Sequence, residues 1–420
     1  MEFTRWARYV VAVAVCGALA GLVGAATSEL LHALQHLTYG YHSGSLLLGV
    51  TRADWRRRVA GPVVGGLLAG LCWWWLRRRH TVDELTPALR EGRRLRPVAQ
   101  TADALVQVLL VGSGASLGRE SAPRQIAASA AALVLGPFAV AGTHRRILLS
   151  SAAGAGLAAV YNVPVAGAVF TISVILQTWD ALTVATALVT SAIAVAVTVP
   201  ITHDATTFSF PPTHAGWGSA LFALVCAPVG AVLGLGFSAL MHRSSARTAA
   251  SWHLVPALAV AGLITGVAAV WLPELPGNGK SIVATAFSPG ATLAVLGAAV
   301  IVKPLLTGMY LRAGAVGGLL TPAFATGAAA GAFISLAIHQ MGGHTSTPAF
   351  TVIGAATVLA VTQRAPLFAA VFAYELTDPP LLVAPLLVIS AVGAHLIADR
   401  LRHRHSPCTA GEHPDKSPGR

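Results

Sequence analysis

Apolar runs separated by short basic or glycine-rich punctuation occupy almost the whole of this chain. The first, residues 7–37, is longer than the roughly 20 apolar residues that cross a bilayer core, so it crosses obliquely. The second, 59–76, follows a basic loop at 51–58 and closes on Trp73, Trp74 and Trp75, then Arg77, Arg78 and Arg79. Aromatics followed by arginines mark a membrane interface, cytoplasmic by the bias of basic loops, although the basic cluster before this span pulls the other way. From 80 to 96 the pattern is polar and helical, with Asp83, Glu84 and Glu91 set against Arg90, Arg93, Arg94 and Arg96. It reads as a surface helix laced with ion pairs. Runs at 98–111, 126–140, 147–160 and 165–176 are short and broken by Gly and Pro, as helices are when they stop inside the membrane around a protein-enclosed site. A span at 181–199 precedes a polar loop carrying Pro211 and Pro212, and beyond it lie 219–241, 254–271, 293–310, 325–338, 348–361, 366–374 and 381–397. The pattern predicts an all-α polytopic membrane protein: a first half at 1–202, a connecting loop at 203–218, a second half at 219–399, and a disordered polar cytoplasmic tail at 400–420.

Composition narrows the function classes. Of 420 residues 55% are hydrophobic and only 10% charged, against about 25% in soluble domains. The net charge of +12 lies in short clusters beside apolar runs, which suits loops facing lipid headgroups and argues against nucleic acid. Cys16, Cys72, Cys226 and Cys408 are far apart, without a CxxC pair or metal spacing, and are read as inert; no metal or cofactor is expected. The first run has no small-residue cleavage site and reads as a retained membrane helix. Gly277-Asn278-Gly279-Lys280-Ser281 looks like the end of a phosphate-binding loop, but Glu274 stands where that loop needs glycine and no strand precedes it.

The chemistry gathers at Gly112–Pro123, where small residues interrupt an apolar run and are followed by the adjacent ions Arg119 and Glu120. An ionisable side chain at membrane depth costs about 2.5–3.5 kcal/mol on insertion scales and usually marks an ion pathway; a solvated loop is the plain alternative. About 200 residues later the outline recurs at Arg312–Phe324, with clustered glycines, a Pro and then an Ala/Gly-rich helix. The following segments also match loosely, Tyr161-Asn162-Val163-Pro164 against Arg364-Ala365-Pro366. Weak internal symmetry with broken helices at matching places points to an inverted repeat in which two helix N-termini meet near the midplane. Their free N–H groups and dipoles favour an anion. A G-x-S-x-G pattern around Ser116, with His144 or His80 as base, raises an intramembrane serine hydrolase, but such a pattern is cheap among 42 glycines and lacks its strand.

These residues resemble a known family. Gly118 to Ile126 is similar to the G-[RK]-E-G-P-x-x-Q-I motif of the CLC family of chloride channels and chloride/proton exchangers, and Gly314 to Pro322 to its G-x-x-G-G-x-F-x-P motif. Ala153 to Gly167 resembles the G-x-x-A-G-[LI]-A-A-x-F-N-x-P-x-x-G stretch, and Ala365 to Asp378 the P-[IL]-x-[GA]…E-[ML]-T segment. The resemblance covers roughly residues 5 to 400, in order. It implies a homodimer in the cell membrane, one small-anion pathway per subunit, and a gating carboxylate at Glu120 that competes with the anion. The anion site it implies comprises Gly118, Arg119, Glu120, Ser121, Leu319, Leu320 and Thr321, with Arg119 beside Glu120 and stabilising its charge. His80, with Thr81, stands where the family has the serine of its first signature, Pro380 where the inner tyrosine falls, and Val174 where exchangers carry a proton-relay glutamate. Valine cannot carry a proton, so passive conduction is expected first; a proton-coupled antiporter or a variant for another anion such as fluoride stays open.

Overall fold

The computed structural model describes residues 2–202, 207–212, 217–245 and 251–404. The first half comprises α1 (Glu2–Tyr39), α2 (Leu46–Arg52), α3 (Trp55–Arg79), α4 (Leu85–Arg90), α5 (Pro97–Gly112), α6 (Ser121–Val134), α7 (Gly142–Tyr161), α8 (Pro164–Phe170) and α9 (Ala181–Thr202). The second comprises α10 (Trp217–Ser244), α11 (Leu254–Trp271), α12 (Lys280–Phe287), α13 (Leu293–Arg312), α14 (Leu320–Gln340), α15 (Thr347–Gln363), α16 (Pro366–Thr377) and α17 (Ala384–Arg404). Among the described residues there is no sheet; one antiparallel bridge joins Gly118 to Gly318. Among the described residues eight helices are long and apolar enough to cross a membrane, and Pro97–Gly112, Pro164–Leu176, Thr347–Gln363 and Pro366–Thr377 are shorter apolar ones. At 38 residues α1 is about 57 Å long, nearly twice the hydrocarbon core, and must tilt. Leu221, Leu224, Val225 and Val232 of α10 and Val388, Ile389 and Leu396 of α17 are exposed, as lipid-facing residues should be.

Small residues bring the helices together. A Cβ on Gly262 of α11 would come within 2.1 Å of the Pro62 carbonyl of α3, and one on Gly66 of α3 within 2.3 Å of the Leu258 carbonyl of α11. The α14–α15 pair is built the same way from Gly327, Gly331 and Gly354. Without a hydrophobic force between helices in lipid, such close backbone approach supplies the packing.

The two halves share backbone features at matching places. Gly114 and Gly314 have φ 105° and 91°, a region open to glycine, and each turns the chain out of a preceding helix. Asn162 and Arg364, two residues before Pro164 and Pro366, have φ 55° and 53°; Gln177 and Asp378 have φ 55° and 45°.

Several boundaries differ from the hydrophobic pattern, each for a physical reason. The helices expected at 126–140 and 325–338 start at Ser121 and Leu320, because Pro123 and Pro322 fall in the first turn, where a missing N–H leaves no intrahelical bond unmade. The former ends at Val134, before a short 3₁₀ turn and Ala139 at φ 53°. The polar helix expected across 80–96 shrinks to α4; the expected ion pairs Arg93–Asp83 (3.2 Å) and Arg93–Glu91 (2.8 Å) are present, but they pin the flanking turns. The basic loop at 51–58 is mostly helical: α2 runs to Arg52, and Asp54 caps α3 by accepting from the Arg56 N–H at 3.1 Å. The tail expected to be disordered from 400 stays helical to Arg404, where Arg402 pairs with Asp399 (2.8 Å) and donates to the Val361 carbonyl (2.9 Å). The rest of that tail, and residues 203–206 and 213–216 of the connecting loop, lie outside the described residues.

Candidate anion site

The Gly118–Gly318 bridge lies where α6 and α14 begin. Gly118 N–H donates to the Gly318 carbonyl at 2.8 Å, and Gly318 N–H returns the bond at 3.0 Å. This reciprocal pair brings together two helix starts that are 200 residues apart in sequence. No side chain could intrude: a Cβ at either glycine would lie 2.1–2.3 Å from a carboxylate oxygen of Glu120.

Glu120 occupies the N-cap position of α6 but makes no cap bond to its own helix. Its carboxylate reaches across to α14 instead. Oε1 accepts the Leu320 N–H at 2.7 Å and the Thr321 N–H at 3.4 Å, and Oε2 accepts the Thr321 hydroxyl at 3.0 Å. The first N–H groups of a helix have no internal acceptor, and with the helix dipole they form an anion-binding end. The carboxylate therefore fills the position a free anion would take. Glu120 is 1% exposed and, among the described residues, no cation lies within 4.0 Å of it. Its direct partners on α14 are two N–H groups and a hydroxyl.

Two cavities approach this point. The larger, about 700 Å³, is lined by Glu120, Ser121, Leu319 and Leu320, and by His80 and Thr81 at its exposed end. Arg77 and Arg124 also line it, together with Asp83, Glu84 and Asp103, so its walls carry both signs of charge. The second, about 450 Å³, is lined by Arg119, Asn278, Lys280 and His36. Arg119 and Glu120 thus face different cavities. Arg119 donates to the Val160 carbonyl at 2.7 Å and lies 5.0 Å from the Tyr161 ring centroid, rather than beside the Glu120 carboxylate as expected. A one-residue step at a helix start turns consecutive side chains apart.

Thr81 accepts a bond from Arg96 at its hydroxyl, and His80 is the exposed, extended C-cap of α3; both share the larger cavity with Glu120 but neither bonds it. Val174 lies in a π-helical turn, Thr171–Leu176, and its carbonyl accepts from Arg90 at 2.8 Å. Pro380 is exposed ahead of a 3₁₀ turn, and the cavity instead receives Gln363 and Ser245. Ser116 is buried with its hydroxyl unbonded, so no base engages it, while His144 packs edge-on against Tyr9 with centroids 5.3 Å apart. That removes the hydrolase arrangement.

Three residues escaped the sequence reading. Tyr161, fully buried at the end of α7, donates to Glu120 Oε2 at 3.4 Å and accepts from Asn278 Nδ2 at 3.4 Å. The motif quoted above has Phe here, and the added hydroxyl was the available signal. Asp103 of α5, 2% exposed on the wall of the larger cavity, accepts from Trp73 Nε1 and Gln107 Nε2, both at 2.8 Å. Gln107 also donates to Gln125 of α6 at 3.2 Å. A lone acid in the apolar run 98–111 was its signal. Lys303 of α13, fully buried, donates to the Leu275 carbonyl at 3.1 Å and to that of Gly277, holding the loop that carries Asn278.

Comparison with known proteins places this arrangement. Residues 65–399 match the family model described as voltage gated chloride channel. The voltage-gated ClC-type chloride channel ClcB of Escherichia coli is 28% identical over 406 residues, spanning 93% of this chain and 96% of that protein. Among solved structures, that of a slow cyanobacterial Cl−/H+ antiporter superposes with a TM-score of 0.81 at 20% identity, covering 94% of this chain and 95% of the other. A CLC-type fluoride/proton antiporter superposes with a TM-score of 0.68 at 17% identity, covering 93% and 95%. At these identities the structures bear on the fold alone.

Proposed function

Since the chain belongs to the voltage gated chloride channel family, whose members are channels or transporters rather than enzymes, we propose that it carries chloride or a similar small anion across the membrane along a pathway closed by Glu120. One observation carries this reading: a carboxylate sits on the free N–H groups of α14, bonded at 2.7 Å to Leu320, with no cation against it. A carboxylate bonded by helix N–H groups and hydroxyls, with no ion pair to lock it, can be exchanged for an anion of the same charge, and protonation would release it. The site proposed for the anion is Gly118, Ser121, Leu319, Leu320 and Thr321, with His80 and Thr81 at the mouth of the larger cavity and Arg119 drawing anions into the other.

Passive conduction is the mode that Val174 supports, because neither its side chain nor its engaged carbonyl moves a proton. The second reading, proton-coupled exchange, is favoured by one observation: Asp103 is a buried carboxylate on the same cavity wall as Glu120. Replacement of the family serine by His80 leaves fluoride selectivity as a variant of either. We further propose the halves 1–202 and 219–399 as the repeat units, on the matching turns at Gly114 and Gly314 and at Asn162 and Arg364, and a homodimer in the cell membrane, as the family resemblance implies.

The test is chloride efflux from proteoliposomes with simultaneous pH recording. Efflux that rises on acidification and becomes independent of pH in Glu120→Gln is expected; steep pH dependence in that variant would refute the gate. Proton movement driven by a chloride gradient, lost in Asp103→Asn with efflux retained, would replace the passive mode by exchange.

A further inference from the structure

We propose that Tyr161 is a latch on the gate: its hydroxyl holds the Glu120 carboxylate in the anion site and ties it to the wall of the second cavity. The proposal rests on Glu120 being the gate. Its starting point is position. Glu120 lines the larger cavity, whereas Arg119 and Asn278 line the other, and Tyr161 lines neither yet touches all three. It donates to Glu120, accepts from Asn278 and lies beneath the Arg119 guanidinium, with its ring 5.0 Å from that cation. The partition between the two cavities at this point is thus a carboxylate backed by a phenol.

The ring is held on its other sides. Phe372 of α16 meets it edge-on with centroids 5.7 Å apart, and Phe372 itself packs against Phe324 of α14. Thr207 donates to the Tyr161 carbonyl at 3.0 Å, and Asn162 follows at φ 55°, ending α7 there. A side chain so confined has little rotamer freedom left to lose, so its hydroxyl reaches the carboxylate at low entropic cost.

The chemistry follows from the donors present. Leu320 and Thr321 bond the carboxylate from the α14 side, and Tyr161 supplies a further donor from α7. A donor aimed at a carboxylate favours the charged, seated form over the protonated, released form. Charged and titratable groups around Glu120 are Arg119, its neighbour in sequence, Arg124 one turn along α6, Lys303 of α13 behind the Asn278 loop, and Tyr161 of α7; α14 contributes none at the contact. Across the larger cavity stand Arg77, His80, Asp83, Glu84 and Asp103. Of these, Tyr161 alone both bonds the carboxylate and reaches the second cavity's wall. Tyr161 is therefore a positioning residue acting through Glu120.

The experiment compares chloride efflux from proteoliposomes carrying the wild-type protein, Tyr161→Phe, Glu120→Gln and the double variant, across pH 5 to about pH 8. Phe keeps the ring and its contacts with Phe372 and removes one oxygen. Expected is a several-fold higher efflux at neutral pH in Tyr161→Phe, with acid activation extended toward alkaline pH, and no further change when the substitution is added to Glu120→Gln. Asn278→Ala, which frees the hydroxyl from its other partner, should raise efflux less. Wild-type efflux and pH profile in Tyr161→Phe, or an equal rise in the Glu120→Gln background, would overturn the latch while leaving the gate in place. Glu120→Gln with the wild-type pH profile would remove the gate and the latch together.

Discussion

A methyl group at position 318 probes the site where it is tightest. In Gly318→Ala the new Cβ would lie 2.1 Å from Glu120 Oε1 and 2.2 Å from its Cδ, whereas ordinary contact begins at 3.4 Å. The carboxylate must retreat by at least 1.3 Å, the difference between 3.4 and 2.1 Å. Its 2.7 Å bond from the Leu320 N–H cannot survive that movement. A hydrogen bond to a charged group contributes about 1.5–3 kcal/mol, so the seated form should lose roughly ten- to 150-fold in population against the displaced one. The overlap falls on the free end of a side chain, and Gly318 does not have a positive φ, so Glu120 can yield while the helices stay in place. The same methyl occupies space that an anion would need. In proteoliposomes Gly318→Ala should therefore lose acid activation of chloride efflux and require higher chloride for a given rate, with an unchanged elution profile in detergent. Wild-type chloride dependence and pH profile would refute the placement of the anion site against Gly318.

Two further substitutions separate packing from function. In Gly331→Ala the Cβ would meet the Phe350 carbonyl at 2.0 Å, a backbone atom that cannot step aside; forcing α14 and α15 apart should cost about 1–3 kcal/mol or more, read as a lower melting temperature in detergent. An unchanged melting temperature would contradict the close approach of those helices. Lys303→Met should leave the Leu275 and Gly277 carbonyls without their donor, at about 1–3 kcal/mol each, and so loosen the loop bearing Asn278. Faster amide hydrogen exchange across residues 275–279 would register it, and wild-type protection there would show that the lysine is not what holds the loop.

Hydropathy and the positions of Gly and Pro made most of the fold legible. The apolar run at 254–271 matches α11 residue for residue, and the paired glycine-rich motifs announced where the two halves would meet. Where the sequence misled, the cause was local. Ser121 and Thr321 read as breaks in an apolar pattern, yet a polar residue in a first turn begins a helix, since only there are N–H groups free. Arg119 and Glu120 read as neighbours sharing one environment because adjacency in sequence says nothing about which way a helix start turns each side chain.

The sequence by itself therefore determined the solvent, the helical class, the family and the identity of the one carboxylate placed between two glycine turns. Those follow from composition, periodicity and motif, which are properties of the chain read along its length. Only the tertiary structure decided that Glu120 caps α14, that Arg119 belongs to the second cavity, that Tyr161 of α7 bonds Glu120, that Asp103 of α5 lines the same cavity, and that Lys303 of α13 holds the loop bearing Asn278. Their partners are 41, 30 and 28 residues away for Tyr161–Glu120, Asp103–Trp73 and Lys303–Leu275, and 200 for the Glu120–Leu320 bond. No local propensity encodes such distances. They are set when glycine-lined helices pack backbone to backbone and leave each buried polar group one place to find its partner.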